Sequence, residues 1–129
     1  MIYVDTSAVL KLVVREDESA AVDDRLADAD MVCSALLLVE ARRGLARRAP
    51  DRLPRLDLVL SRVSLVDISA AVVESAGRLP DPMLRSLDSI HLASALMLRD
   101  DLDAVVTYDD RFAAAATAQG LTVEAPGRP

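Results

Sequence analysis

Ile2-Tyr3-Val4-Asp5-Thr6-Ser7-Ala8-Val9-Leu10 reads as a short strand that runs straight into a helix. Ile2 to Val4 is an uninterrupted apolar run of strand length. Thr6 and Ser7 form a helix start signal, and Val9, Leu10, Val13 and Val14 then recur at helical spacing. The one charged residue in the stretch, Asp5, therefore follows directly on the end of the strand.

Strands and helices go on alternating along the rest of the chain. Glu16 to Asp30 is acidic and alanine-rich with Val22 and Leu26 on one side, which predicts a helix, and Met31 to Cys33 predicts a strand. Ser34 is placed to cap a helix running to about Arg48. Pro50 and Pro54 break the pattern, and Leu56, Val59, Leu60 and Val63 restore a helical one. A strand over Leu65 to Ile68 and a helix from Ala70 to Leu79 follow, stopped by Pro80-Asp81-Pro82. Ser86 is expected to cap a helix whose Leu87, Ile90, Ser94 and Met97 share one stripe. Ala104 to Thr107 then reads as a strand, Arg111 to Ala118 as a helix ended by Gly120, and Leu121 to Val123 as a last strand. Strand and helix alternating without a repeat predict an α/β fold, with helices on both faces of a mainly parallel sheet joined by right-handed crossovers.

A chain of 129 residues suits one domain, 1–129, in which roughly two thirds of the unfolded surface can be buried. Hydrophobic residues make up 52% and aromatic residues 2%, so the interior must be built from Ala, Val, Leu and Ile. That composition excludes an aromatic platform for stacking bases. A formal charge of -6 excludes a broad polyanion-binding surface and restricts any nucleic acid to local contacts through arginines and bound cations. Lys11 is the only lysine among the 15 basic residues. Cys33 is the single cysteine, expected as a buried structural thiol in a reducing cytoplasm. No apolar stretch approaches the roughly 20 residues that span a bilayer, so a soluble cytoplasmic protein is expected.

Chemistry concentrates in Asp5, Glu40, Asp88 and Asp109. Asp5 and Asp109 stand at the carboxyl ends of the strands Ile2 to Val4 and Ala104 to Thr107, the rim where such sheets bind ligands. Glu40 rises from the apolar face of Ala35-Leu36-Leu37-Leu38-Val39-Glu40-Ala41, and Asp88 lies in the first turn of its helix, where the dipole favours an anion. Singly, each has a bland explanation: Asp5 and Asp109 as helix caps, Asp88 as a dipole-matched surface acid, Glu40 as an i,i+3 partner of Arg43. Together they predict a divalent-metal site. Two unit charges 4 Å apart repel by roughly 1 kcal/mol in water and about 4 at an effective dielectric of 20, and Mg²⁺ or Mn²⁺ reverses that sign. Thr6, Ser7 and Thr107 are placed to hydrogen-bond these carboxylates. His91, three residues after Asp88, is expected outside the metal shell. Arg85, Arg42 and Arg43 are candidates for steering phosphate.

The segments Tyr3-Val4-Asp5-Thr6-Ser7-Ala8-Val9-Leu10, Leu38-Val39-Glu40-Ala41, Leu84-Arg85-Ser86-Leu87-Asp88-Ser89-Ile90-His91-Leu92-Ala93 and Val106-Thr107-Tyr108-Asp109-Asp110-Arg111-Phe112 resemble, in order and spacing, the PIN-domain family, and within it the VapC-type toxins. The resemblance implies a three-layer α/β/α sandwich with a central, mainly parallel sheet of four to five strands. It also implies a Mg²⁺- or Mn²⁺-dependent endoribonuclease leaving 5′-phosphate and 3′-hydroxyl ends, usually a homodimer, held inactive by a VapB-type antitoxin. Asp5 and Asp88 then look like the principal metal ligands, with Glu40 and Asp109 acting through water or at a second metal, and Ser7 and Thr107 as supports. Asp110 competes with Asp109, which keeps the two-residue step from Thr107 and the three-residue step to Phe112. Two rival readings remain. One is a phosphohydrolase with Asp5 as nucleophile, which usually needs an Asp where Ser7 stands and a pocket Lys. The other is a non-catalytic PIN-like binding scaffold, against which the intact acids count.

Overall fold

A computed structural model describes residues 1–129. Strand β1 (Ile2–Val4) leads into α1 (Thr6–Val13), and α2 (Ser19–Leu26) precedes β2 (Met31–Ser34). Then come α3 (Leu36–Arg48), a 3₁₀ turn (Pro50–Arg52), α4 (Leu53–Leu60) and β3 (Val63–Val66). Helices α5 (Ala70–Gly77) and α6 (Ser86–Met97), strand β4 (Ala104–Val106), helix α7 (Asp110–Ala118) and strand β5 (Val123–Glu124) complete the chain.

All five strands are parallel, in the order β3-β2-β1-β4-β5. Ile2 on β1 stands between Met31 and Ala104. The chain builds the sheet outward from β1 to β3, then crosses back to add β4 and β5 on the other side. Right-handed crossovers require the two directions of travel to use opposite faces. Helix α1 accordingly packs with α3 and α4, whereas α6 packs with α5 and α7. Three layers result. Between β1 and β4 the order reverses, and at such a switch point neighbouring strands send their connections to opposite faces and leave a crevice at their carboxyl ends.

A single apolar cluster of 27 buried residues fills the interior around β1, β2 and β4. Its large members include Leu37 and Leu45 from α3, Leu56 from α4 and Leu92 from α6. Truncating one of these to Ala would cost about 2–5 kcal/mol, the range for buried leucines.

Several boundaries differ from the sequence expectation for local reasons. Strand β3 begins at Val63 instead of Leu65, because Met31 to Ser34 pair with Val63 to Val66 and Val63 is the residue turned inward. Helix α2 is shorter than Glu16 to Asp30, since the Ser19 hydroxyl accepts from Glu16 N–H and donates to the Lys11 carbonyl, holding that turn open. Gly120, at φ 86°, ends α7, and Leu121 N–H returns to the Ala116 carbonyl, so β5 starts only at Val123. Neither expected serine occupies an N-cap position. Ser34 ends β2, accepting from Leu36 N–H, and Ser86 is already helical, with Arg85 before it in extended geometry. The stripe expected on α6 is also wrong: Leu87 and Met97 are about half exposed, at 49% and 54%, while five consecutive residues, His91 to Ala95, are buried. Wedged between β2, α5 and α7, α6 has more than one covered face, and Ala93, Ser94 and Ala95 are small enough to permit it.

Candidate active site at the strand switch point

The crevice between β1 and β4 holds a cavity of about 130 Å³ lined by Asp5, Thr6, Ser7, Glu40, Arg85, Asp88, His91, Asp109 and Phe112. Four elements deliver its acids: the end of β1, the middle of α3, the first turn of α6 and the start of α7.

Asp5 caps α1 and is 6% exposed. Its Oδ1 accepts from Ala8 N–H at 3.0 Å and from the Ser7 hydroxyl at 2.6 Å, and Oδ2 accepts from Thr107 Oγ1. Burial pushes the Asp5 carboxyl up; the hydrogen bonds from Ser7, Thr107 and Ala8 oppose it without cancelling it. Ser7 also accepts from Tyr108 N–H at 2.9 Å, and Thr107 accepts from Asp109 N–H at 3.1 Å. These two hydroxyls tie the start of α1 to the end of β4, across the switch point.

Asp109 caps α7 through Oδ1, which accepts from Arg111 and Phe112 N–H at 2.9 and 3.1 Å. Capping and membership of the cavity are thus compatible roles for Asp5 and Asp109 alike. Asp110 is exposed and pairs with Arg128, away from the cavity. Glu40 makes no pair with Arg43. Its Oε1 accepts from Thr6 Oγ1 at 2.8 Å and meets His91 Nε2 at 2.6 Å. Burial pushes the Glu40 carboxyl up, but His91, Thr6 and Arg85 outweigh it and leave it below the usual range.

Arg85 bridges Asp88 and Asp109, with Nε 2.9 Å from Asp88 Oδ2 and Nη2 3.1 Å from Asp109 Oδ2. The guanidinium thereby offsets the charge that two neighbouring carboxylates would otherwise oppose. No three acidic, histidine or cysteine groups stand close enough in this arrangement to ligate one ion together. The donor set nevertheless suits a hard divalent cation: four carboxylates line the cavity, and Glu40 Oε2 and Asp88 Oδ1 accept no protein hydrogen bond.

Arg42 and Arg43 lie outside this cavity, contrary to a direct role beside the acids. Both are exposed on α3, and Arg42 pairs with Asp57 at 3.0 Å. With Ala46 and Arg47 they line a shallow depression of about 260 Å³. Lys11 is also elsewhere, held by Glu16 and Glu18 at 2.6 and 3.0 Å and lying over the Tyr108 ring. The pocket lysine of an aspartyl-nucleophile phosphohydrolase is therefore missing. Burial pushes the Cys33 thiol up, which suits a structural role. His91, expected outside the metal shell, lines the cavity and meets Glu40 there instead of standing apart as an isolated core residue. Its three-residue step from Asp88 places both on one face of α6, whereas the contact with Glu40 on α3 joins residues 51 apart and has no local signal.

A five-stranded parallel sheet in this order, with acids gathered at the β1/β4 crevice, defines a class of three-layer α/β domains, and the PIN domain model matches residues 2–118. The chain belongs to the PIN-domain family. Within that family its likeness is to VapC-type ribonucleases. It is 43% identical over 133 residues to Ribonuclease VapC35 of Mycobacterium tuberculosis, covering 99% of this chain and 98% of the relative. It is 40% identical over 126 residues to Ribonuclease VapC46 of the same species, covering 97% of each. Two solved structures share the fold. One is Mycobacterium tuberculosis VapC20, described as a sarcin-ricin loop cleaving toxin (TM-score 0.71, 20% identity, 95% of this chain and 97% of that one). The other is a toxin-antitoxin complex from Klebsiella pneumoniae (TM-score 0.74, 19% identity, 98% of each chain).

Proposed function

We propose that residues 1–129 form one PIN-like unit acting as a VapC-type endoribonuclease toxin, dependent on Mg²⁺ or Mn²⁺ and neutralised by a VapB-type antitoxin. The observation that carries this reading is the convergence of Asp5, Glu40, Asp88 and Asp109 on one cavity, in a chain similar over nearly its whole length to VapC ribonucleases.

Asp5 and Asp88 are the principal residues that would hold the cation, with Glu40 and Asp109 reaching it directly or through water. When bound, the cation supplies an acidified water and offsets charge on phosphate and leaving oxygen. Glu40, through its free oxygen, orients the attacking water and accepts its proton. Water adds at phosphorus, the bond to the 3′-oxygen breaks, and the products carry 5′-phosphate and 3′-hydroxyl ends. Ser7 and Thr107 keep Asp5 fixed while Thr6 holds Glu40. Arg85, once its carboxylates turn to the cation, is free to meet a phosphate oxygen. Arg42 and Arg43 contact RNA flanking the cleaved bond.

The toxin-antitoxin descriptions of the structural neighbours support a VapB-type partner. Exposed Ile68, Val73 and Leu87 support a homodimer. No helix is long and apolar enough to cross a membrane, and the proposed compartment is the cytoplasm.

The test is cleavage of total RNA by the purified protein with Mg²⁺, Mn²⁺ or EDTA, beside Asp88→Asn. Loss of at least about a hundredfold in rate is expected for the variant, with its thermal midpoint nearly unchanged. Equal cutting by both proteins, or cutting in EDTA, would refute the proposal.

A further inference from the structure

Behind the carboxylate cavity, two buried side chains form a connected path to Glu40 to which the cleavage chemistry gives no role. The Tyr3 hydroxyl lies 2.7 Å from His91 Nδ1, and His91 Nε2 lies 2.6 Å from Glu40 Oε1. Tyr3 is completely buried and His91 is 3% exposed, so water does not compete for the contact between them.

The direction of each proton follows from counting donors and acceptors. A phenolic oxygen carries one proton and two acceptor positions. Ser34 N–H donates to the Tyr3 oxygen at 3.0 Å, and the Cys33 thiol approaches the same oxygen at 3.9 Å as a weak donor. Both acceptor positions are thereby used. What remains is Tyr3's own proton, and the acceptor at close range is His91 Nδ1; Cys33 Sγ, 3.9 Å from that nitrogen, is a far weaker contact. A ring that accepts at Nδ1 carries its proton on Nε2, which faces Glu40. Thr6 Oγ1 donates to the same carboxylate oxygen at 2.8 Å. Oε1 thus receives two donors and Oε2 none.

We infer that Tyr3 and His91 are positioning residues for Glu40: Tyr3 selects the Nε2–H form of His91, which, with Thr6, fixes Oε1 and turns Oε2 alone towards the cavity. The inference rests on the reading above, in which Glu40 acts there on the attacking water. Tyr3 sits on the central strand and Glu40 on α3, so the position of Glu40 is referred to the buried centre of the sheet. Outer contacts of this kind typically change metal affinity or activity by about 10–100-fold when removed.

The experiment combines nitrogen-resolved NMR of the imidazole with Mn²⁺ titration and kinetics. In the metal-free protein the His91 ring should appear as the single Nε2–H form, and it should remain so in Glu40→Gln, because Tyr3 sets it. Tyr3→Phe, which keeps the ring but removes the hydroxyl, should give a mixture of ring forms. The same variant should weaken Mn²⁺ binding and lower kcat on RNA by about 10–100-fold, leaving KM unchanged. An Nδ1–H ring in the wild type, or a change of form in Glu40→Gln, would overturn the inference even if Tyr3→Phe failed to fold. So would a folded Tyr3→Phe with wild-type Mn²⁺ affinity and kcat. A wild type that neither binds Mn²⁺ nor cuts RNA would instead remove the underlying reading.

Discussion

Arg85 places its Nη2 3.1 Å from Asp109 Oδ2, so a cation contributed by the protein already stands among the acids. Its Nε holds Asp88 at 2.9 Å. A divalent ion that draws on these carboxylates must displace that guanidinium, and the two cations compete for the same charge. Arg85→Gln is therefore expected to bind Mn²⁺ several-fold more tightly while the metal-free protein melts slightly earlier. Calorimetric titration of both proteins checks this; weaker Mn²⁺ binding in the variant would contradict it.

Glu40 and Asp5 should oppose each other in acid. A carboxyl held below its unfolded value adds stability above that value, about 4.3 for Glu, and loses it as pH falls through the folded pKa. Glu40 is of this kind. Asp5 is the reverse, so its contribution is present below about 3.9 and disappears as pH rises through the folded value. Compared with wild type, Glu40→Gln should lose relative stability, and Asp5→Asn gain it, between pH 3 and pH 7, an interval of about that width around the unfolded values. Urea unfolding at several pH values reads both slopes, and parallel curves would contradict the assignment.

Arg42 and Arg43 stand apart from the acids, so their effect should fall on binding. Each phosphate contact on a single strand contributes about 0.7 to the slope of log affinity against log salt. Replacing both by Ala should reduce that slope by about 1.4 and raise KM for long RNA. The rate on a dinucleotide should be unaffected. An unchanged salt slope would remove these arginines from the RNA path.

The carboxyl-terminal residues are strapped across the start of α2 and the start of α7. Gly127 has φ 88°, and a Cβ there would lie 3.1 Å from Ala21 Cβ and 3.2 Å from Glu18 Cα. Beside it, Tyr108 donates to the Pro126 carbonyl at 2.6 Å, and Arg128 reaches Asp110 at 3.2 Å. Gly127→Ala should destabilise the protein by at least about 1–2 kcal/mol, the range for a left-handed non-glycine residue. Chemical denaturation measures the loss, and a neutral result would show that the strap yields.

Much of the architecture is a local property of the chain. The period change at Asp5, from the apolar run Ile2 to Val4 to the helical spacing of Val9 and Val13, places a strand, a helix and an acid between them without any distant contact. The same holds for Asp109 ahead of α7, because N-cap geometry involves only the next few residues. What escaped a reading along the chain were relations between distant elements. Whether Leu87 or Leu92 is covered depends on α6 lying between β2, α5 and α7. That Asp109 enters the cavity while Asp110 turns to Arg128 depends on where the last residues return. Local periodicity determined the strands, the helices and the acids at their junctions, since those follow from backbone sterics and from which side chains avoid water. Only the tertiary structure decided that β4 docks beside β1, and with it that Arg85 meets Asp109 and that Tyr3 and His91 stand behind Glu40. Sheet order is set by the packing of surfaces remote in sequence, and no short stretch carries it.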